Sequence, residues 1–189
     1  MIENGIRAAF LLLASGMVIA GCDHGAAPAT RGSAQEASTS CSARTLEDDL
    51  EAEPPVGPSV DAETSALRLE SGVSYVVSAT YGVPRAGADG APTAAYRALF
   101  GAVEAQLQRE SGLLALQLGT STSCRSGRTL AVWRSEEEML HFVTSPAHLA
   151  AMRAAADLLE PGYEVTHWTV VGGEPVSFRQ AVEQLSRKF

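Results

Sequence analysis

The stretch Thr129–His148, TLAVWRSEEEMLHFVTSPAH, decides the fold because it predicts a strand and two helix starts in succession. Its first residues, up to Trp133, are mostly apolar and are typical of a buried strand. Ser135, with Glu138 three positions further on, forms a capping box that satisfies backbone N–H groups of a first helical turn. The pair Ser145-Pro146 marks a second helix start, since serine is a favoured cap and proline is favoured at the first helical position.

The sequence on either side repeats this alternation of strand and helix. Residues 73–81, VSYVVSATY, alternate as a half-buried strand does, and one face carries Val73, Tyr75, Val77, Ala79 and Tyr81. The other predicted elements are a helix over 92–110, strands over 113–119, 128–134 and 163–171, and a last helix over 177–187. The order β-α-β-β-α-β plus a C-terminal helix predicts a ferredoxin-like α+β fold, with an antiparallel four-stranded sheet and both main helices on one face.

The second face of such a sheet needs a cover of its own. Strand alternation places Val76, Trp168 and Val170 on that face. An isolated chain would expose apolar surface there, and large exposed apolar patches mark interaction sites. The sequence therefore predicts a homodimer whose two sheets pack face to face.

The N-terminus has the pattern of an export signal. Arg7 precedes an apolar run over 8–21, which is shorter than the roughly 20 apolar residues of a spanning helix. The segment Ile19-Ala20-Gly21-Cys22 resembles the lipobox of bacterial lipoproteins, in which the cysteine is acylated and becomes the new N-terminus. The resemblance implies a signal peptide over 1–21 and a cell-envelope protein, anchored to the lipid bilayer through Cys22, with its domain on the extracytoplasmic side. An ordinary cleaved signal with a chance cysteine, or a short uncleaved anchor, are the alternatives.

Composition separates a tether from a domain. Residues 23–64 carry nine acids against two bases and few large apolar residues, so we expect a disordered acidic tether over 22–64. Residues 65–189 carry twelve acids against eleven bases and form the predicted domain. No basic face is indicated, which excludes nucleic acid as a partner. The remaining cysteines, Cys41 and Cys124, are an even pair that can form a disulfide outside the cytoplasm, but the sequence alone leaves the pairing open.

A family resemblance rests on the stretch quoted first. Trp133, Ser135 and Glu137, then Phe142, then Ser145 and His148 follow a pattern of strand–Trp–x–Ser–x–Glu, an aromatic residue and Ser-x-x-His. This pattern resembles the antibiotic biosynthesis monooxygenase superfamily of dimeric α+β barrels. The resemblance covers about half of the chain, and the same fold also hosts haem-degrading enzymes and members with other roles.

The resemblance implies a cofactor-independent oxygenase that acts on a small aromatic or quinol-like compound in an apolar cleft. Deprotonation lets such a substrate react with oxygen without metal or flavin, so the protein supplies burial, aromatic walls and a base. Histidine is the side chain with a suitable pKa. The candidate catalytic residues are His148 and His167, and the candidate substrate-binding residues are Trp133, Tyr75, Tyr81, Phe142 and Met152.

Other interpretations remain open. The domain can instead be a non-catalytic envelope lipoprotein that binds a small apolar ligand or a partner, and each histidine can be a hydrogen-bonded structural residue. Haem binding is less favoured because the position ten residues after Phe142, where haem-degrading relatives carry histidine, is Met152. No metal is expected, since His141 and His148 lie seven residues apart and no HxxxH or CxxC spacing occurs.

Overall fold

A computed structural model describes residues 41–187 of the 189-residue chain. The predicted signal peptide, Cys22 and the first part of the predicted tether lie outside the described residues. None of the helices within residues 41–187 combines the length and the apolar character that a membrane span requires.

The described residues form one antiparallel sheet with helices. In chain order the elements are β1 Glu51–Ala52, β2 Ser74–Gly82, α1 Ala94–Leu107, β3 Leu113–Ser121, β4 Ser126–Trp133, α2 Glu136–Val143, α3 Pro146–Leu158, β5 Glu164–Val171 and α4 Phe178–Ser186. The strand order across the sheet is β1-β3-β4-β2-β5. The predicted α+β, ferredoxin-like fold with a C-terminal helix is confirmed, and the short β1 adds a fifth strand at the β3 edge.

The helix starts lie where the sequence places them. The Ser135 hydroxyl accepts a hydrogen bond from the backbone N–H of Glu138 at 3.3 Å, and three glutamates occupy the first turn of α2. The Ser145 hydroxyl accepts from the N–H of His148 at 3.4 Å, with Pro146 in the first turn of α3. The two caps fix the directions of α2 and α3, and thereby the positions of Phe142 and His148.

One face of the sheet, here called the helix face, packs against α1 and α2. Its core includes Val76, Leu116, Trp133, Met139 and Phe142. The Trp133 side chain is only 1% exposed, which makes it the largest fully buried side chain of the described residues. Helix α3 packs mainly on α1, and none of its residues is fully buried.

The opposite face is covered by residues 41–73, here called the strap, together with α4. The apolar strap residues that pack on this face are Leu46, Leu50, Val60, Leu67 and Leu69. The backbone N–H groups of Glu53, Val56 and Ser59 donate hydrogen bonds to β3. Their acceptors are the carbonyl oxygens of Leu118, Leu116 and Leu114, which are every second residue of that strand. Gly57 has a φ of +147°, and a Cβ there would lie 2.4 Å from the Leu114 carbonyl oxygen, so only glycine permits this approach. The prediction of a disordered tether is therefore wrong for residues 41–64.

Charged residues of the strap are bound rather than solvated. The Glu47 carboxylate accepts from Arg128 Nε at 2.8 Å and from the Ser126 hydroxyl at 2.5 Å, and both side chains of the ion pair are at most 2% exposed. The remaining Arg128 nitrogens donate to strap carbonyl oxygens. Hydrogen bonds from Ser121 and Ser123 hold the pKa of Asp49 at about 2. Glu47 and Asp49, whose charges suggest a solvated tether, therefore make specific contacts with the β3–β4 hairpin.

A disulfide joins Cys41 at the start of the strap to Cys124 in the β3–β4 turn, with their Cα atoms 5.4 Å apart. The bond closes a loop over a sequence separation of 83 residues. The sequence leaves open whether Cys41 and Cys124 form a disulfide, and the structure shows that they do.

The assignment of residues to sheet faces needs one correction. Trp168 and Val170 lie on the strap face, as expected for the second face, but Val76 lies in the core of the helix face. Because the strap and α4 cover the second face, the reason for predicting a face-to-face homodimer is wrong. The homodimer itself stays a prediction.

Candidate functional site

The helix face carries a continuous series of aromatic rings that ends at His148. The Trp133 and Phe142 rings stack with centroids 5.2 Å apart, and the Phe142 and His148 rings lie 4.7 Å apart at an angle of 58°. Trp133 is fully buried, Phe142 is buried and His148 is half-buried, so the series runs from the core to the surface of α3. The structure therefore brings together three of the residues that the sequence singles out.

The His148 ring has a fixed orientation. Its Nδ1 lies 3.1 Å from the backbone carbonyl oxygen of Val143, which can only accept, so Nδ1 carries the proton and Nε2 keeps its lone pair. Among the described residues, Nε2 makes no hydrogen bond. Burial lowers the pKa of His148, an effect that the Val143 carbonyl partly opposes. The result is a neutral imidazole with one basic nitrogen available to a ligand.

The second predicted histidine, His167, lies on the same side of the sheet. It is directly opposite Ser78 in the β2–β5 register, and its side chain is exposed. The Ser78 hydroxyl accepts a hydrogen bond from Trp133 Nε1 at 2.9 Å. Cross-strand partners have Cβ atoms about 5 Å apart, so His167 lies beside the serine that accepts the hydrogen bond from Trp133.

Ser78 and the α1 aromatic residues are parts of this region that the sequence analysis does not single out as site residues. Phe100 packs against the core that contains Trp133 and Phe142, and Tyr96 stacks on Phe100 with a centroid distance of 5.4 Å. Burial raises the pKa of Tyr96 to about 12, so its hydroxyl stays protonated. Ser78 has no distinctive signal in the sequence, because its face of β2 also carries Ser74 and Thr80.

Tyr75 and Tyr81 do not join this region. Both lie on the strap face, so the sheet itself separates them from His148. The Tyr75 hydroxyl accepts from the backbone N–H of Glu70, and the Arg128 guanidinium lies 4.6 Å from the centre of the Tyr81 ring. Their predicted place in one cleft with the histidines is wrong, because alternation identifies residues that share a face but not the side on which the helices pack.

Met152, the last predicted binding residue, follows His148 by one helical turn on α3. Its side chain is 54% exposed. Val165, on the β5 face that also carries His167, is 61% exposed. The helix face is therefore incompletely covered beside β5, and both apolar and polar side chains, Val165 and His167, are exposed at this rim.

A small cavity lies under the strap, on the other side of the sheet. It measures about 40 Å³, and Pro55, Leu67 and Leu130 are among its lining residues. A single water needs roughly 10–15 Å³ of such space, whereas an apolar cavity that binds benzene measures on the order of 150 Å³. This space cannot hold an aromatic substrate.

His141 forms a separate arrangement at the end of α2. Its Nδ1 lies 2.9 Å from Oε2 of Glu110, whose side chain is 3% exposed, while that of His141 is 72% exposed. The hydrogen bond to Glu110, reinforced by its charge, raises the pKa of His141. The pair fastens α2 to the chain just after α1. Within residues 41–187, no three His, Cys, Asp or Glu side chains come together as a set of metal ligands.

No family model matches the sequence, and no curated protein does so either. Solved structures with a similar fold include Rv0793 from Mycobacterium tuberculosis, which is 22% identical with a TM-score of 0.43 over 55% of this chain and 96% of that one. SO0527 from Shewanella oneidensis is 16% identical with a TM-score of 0.44, over 52% of this chain and 93% of that one. SnoaB, a cofactor-independent oxygenase from Streptomyces nogalater, is 15% identical with a TM-score of 0.40, over 55% of this chain and 96% of that one. At these identities and TM-scores, the likeness does not establish a family or an activity for this chain.

Proposed function

We propose that this domain catalyses the cofactor-independent oxygenation of a small aromatic or quinol-like compound bound on the helix face, with His148 as the general base. The observation that carries the proposal is the state of the His148 ring. The Val143 carbonyl fixes the proton on Nδ1, burial favours the neutral form, and Nε2 is available. A base with these properties can accept a phenolic proton near neutral pH.

The aromatic surroundings suit the proposed substrate. The rings of Phe142 and Trp133 continue from His148 into the core, so the base has an apolar, aromatic environment on its buried side. No Lys or Arg side chain takes part in this series of contacts, so we expect a substrate without a carboxylate or phosphate group. His167 and Met152 lie toward the exposed rim, where we assign them contacts with the outer part of the substrate.

The proposed reaction needs no reductant. His148 Nε2 removes the phenolic proton, and the resulting phenolate shares its negative charge with a ring carbon. One electron passes from this anion to O₂, and the two radicals then combine at that carbon to form a carbon–oxygen bond. The substrate peroxide then loses water, taking back the proton held by His148, and its carbon becomes a carbonyl. The sum is SH₂ + O₂ → S=O + H₂O, in which the substrate supplies all four electrons.

Oxygen uptake with 1,4-dihydroxynaphthalene tests the proposal, with the rate in the absence of protein subtracted. We expect His148→Ala to lower kcat by about 10²-fold or more, in line with general-base catalysis. His167→Ala should raise KM more than it lowers kcat. His141→Gln is a matched control, because it removes a histidine of the same domain that lies away from the aromatic series. Uptake that survives the combined His148→Ala and His167→Ala changes would refute the assigned base.

Ligand binding without chemistry is the second candidate function. The exposure of Met152 and Val165 favours it, because a site open to water protects a reactive anion poorly. In that case, 1,4-dihydroxynaphthalene quenches Trp133 fluorescence, Phe142→Ala weakens the quenching, and oxygen uptake stays at the rate without protein.

We further propose that the protein is anchored to a bacterial membrane, on the extracytoplasmic side, through acylated Cys22. The Cys41–Cys124 disulfide supports this proposal, because structural disulfides persist in oxidising compartments and are rare in the cytosol. Cys22→Ala should move the protein from the membrane fraction to the soluble fraction. Mass spectrometry of the wild-type N-terminal peptide should find a lipid-modified cysteine, and an unmodified Cys22 would contradict the anchor.

A further inference from the structure

Four buried polar atoms on the strap face have no hydrogen-bond partner among the described residues. They are the Tyr81 hydroxyl oxygen, the Thr166 hydroxyl oxygen, Trp168 Nε1 and Gln180 Oε1. Thr166 is 1% exposed and Tyr81 is 5% exposed. Native proteins leave few such groups unpaired, so a concentration of four in one region requires an explanation.

The four atoms belong to adjoining parts of the fold. In the β2–β5 register, Thr166 pairs with Ala79 and Trp168 pairs with Val77, so both share the strap face with Tyr81. Thr166 is the diagonal neighbour of Tyr81, a relation that places Cα atoms about 7–8 Å apart. Gln180 lies on α4, which packs against β5 on this face. Side chains from β2, β5 and α4 therefore contribute unpaired polar atoms to the same face of the sheet, on the side that the C-terminal helix covers.

The chemistry of the set defines its ligand. The Trp168 indole N–H only donates, the Gln180 amide oxygen only accepts, and the two hydroxyls do both. The nearby charges of Glu47 and Arg128 are paired with each other, which leaves no net charge to hold an ion. A small neutral molecule that donates and accepts at once satisfies this set, and a buried water with about three hydrogen bonds is the usual example.

We propose that one or more ordered water molecules bind beneath α4 and bridge Thr166, Trp168, Gln180 and Tyr81. The bound water is then a structural part of the domain, since it connects the C-terminal helix to the two strands at one side of the sheet. This proposal is independent of the proposed function, because the site lies on the opposite face from His148.

The sign of one substitution tests it. Thr166→Val replaces the hydroxyl by a methyl group of similar size. If water bridges these groups, the variant loses one bond to that water and leaves its other partners less well satisfied. We expect the urea midpoint of the full chain to fall, with the unfolding equilibrium constant rising about fivefold or more. If the hydroxyl is dry and unpaired, its removal relieves a penalty and the midpoint rises.

Two variants and one direct observation complete the test. Thr169→Val makes the same change three residues along β5 at an exposed position, and it should leave the midpoint unchanged. Thr166→Ser keeps the hydroxyl and should retain the bridge. A crystal structure of the full chain at high resolution should show water within hydrogen-bond distance of Thr166 Oγ1 and Trp168 Nε1. A risen or unchanged midpoint for Thr166→Val, or a dry site in the crystal, would overturn the proposal.

Discussion

The two faces of the sheet are covered in different ways. The strap face is closed by a disulfide, a buried ion pair and backbone hydrogen bonds to β3. The helix face is closed by side-chain packing over its centre and is open beside β5, where Val165 and His167 are exposed. The strap face is thus held by covalent, ionic and backbone links between distant parts of the chain, whereas the helix face depends on the packing of side chains.

The ion pair under the strap should have the largest effect on stability. Glu47→Gln removes the charge that balances Arg128 and leaves a buried guanidinium uncompensated. We expect the free energy of unfolding to fall by about 3–5 kcal/mol, measured by urea denaturation. The double variant Glu47→Gln, Arg128→Met should recover part of this loss, since it removes the unpaired charge. A single variant as stable as wild type would mean that the strap contributes little to closing this face.

Removal of the disulfide should have the second-largest effect on stability. Breaking it removes the constraint on a loop of 83 residues in the unfolded chain, which is worth about 2–4 kcal/mol. The double variant Cys41→Ser, Cys124→Ser should show this loss in urea. A reducing agent should reproduce the loss in wild type and have no effect on the variant. A reducing agent that destabilises both equally would contradict the assignment to this bond.

The helix face should respond more weakly to substitution. Ser78→Ala removes the acceptor of the buried Trp133 indole N–H, which should lower the free energy of unfolding by about 1–3 kcal/mol. Intrinsic fluorescence should report the changed environment of Trp133. Ser74→Ala is the control, because it makes the same change at an exposed position of the same strand and should leave both readouts unchanged.

The smallest expected effects are two opposite dependences of stability on pH. The pKa of His141 is raised in the folded state, so its contribution is complete below about pH 6.5 and is lost as the pH rises through the folded pKa. The pKa of His148 is lowered, so its contribution is present above about pH 6.5 and is lost as the pH falls toward the folded pKa. Urea midpoints are measured between pH 5 and pH 8. His141→Gln should abolish the loss of stability at rising pH, and His148→Gln should abolish the loss of stability at falling pH. Identical profiles in both variants would contradict the two environments.

The fold was predictable because local signals agreed with one another. Three such signals each indicate an element that the structure contains. They are the Ser135–Glu138 capping box, the helix start at Ser145-Pro146 and the alternation over 73–81. The strap was not predictable by composition, because Glu47 and Asp49 look like solvated charges unless Arg128, Ser121 and Ser123 are known to lie beside them. Only the three-dimensional arrangement brings residues from such separate parts of the sequence together.

The candidate site was predictable in part for a related reason. The motif singled out His148 together with Trp133 and Phe142, and the structure brings these three rings into contact. Strand alternation also grouped Tyr75 with Tyr81 correctly. It could not show which side of the sheet the helices cover, so the two tyrosines were assigned to the wrong face.

The bond between Cys41 and Cys124 also has a mechanical consequence. A pull on the chain ahead of Cys41 is transmitted through the two sulfur atoms into the β3–β4 turn. The strap then cannot be peeled away from its N-terminal end while that bond is intact. If a lipid holds Cys22, a force on that anchor reaches the domain at the Cys41–Cys124 bond. The apolar contacts between the strap and the sheet then do not have to resist that force alone.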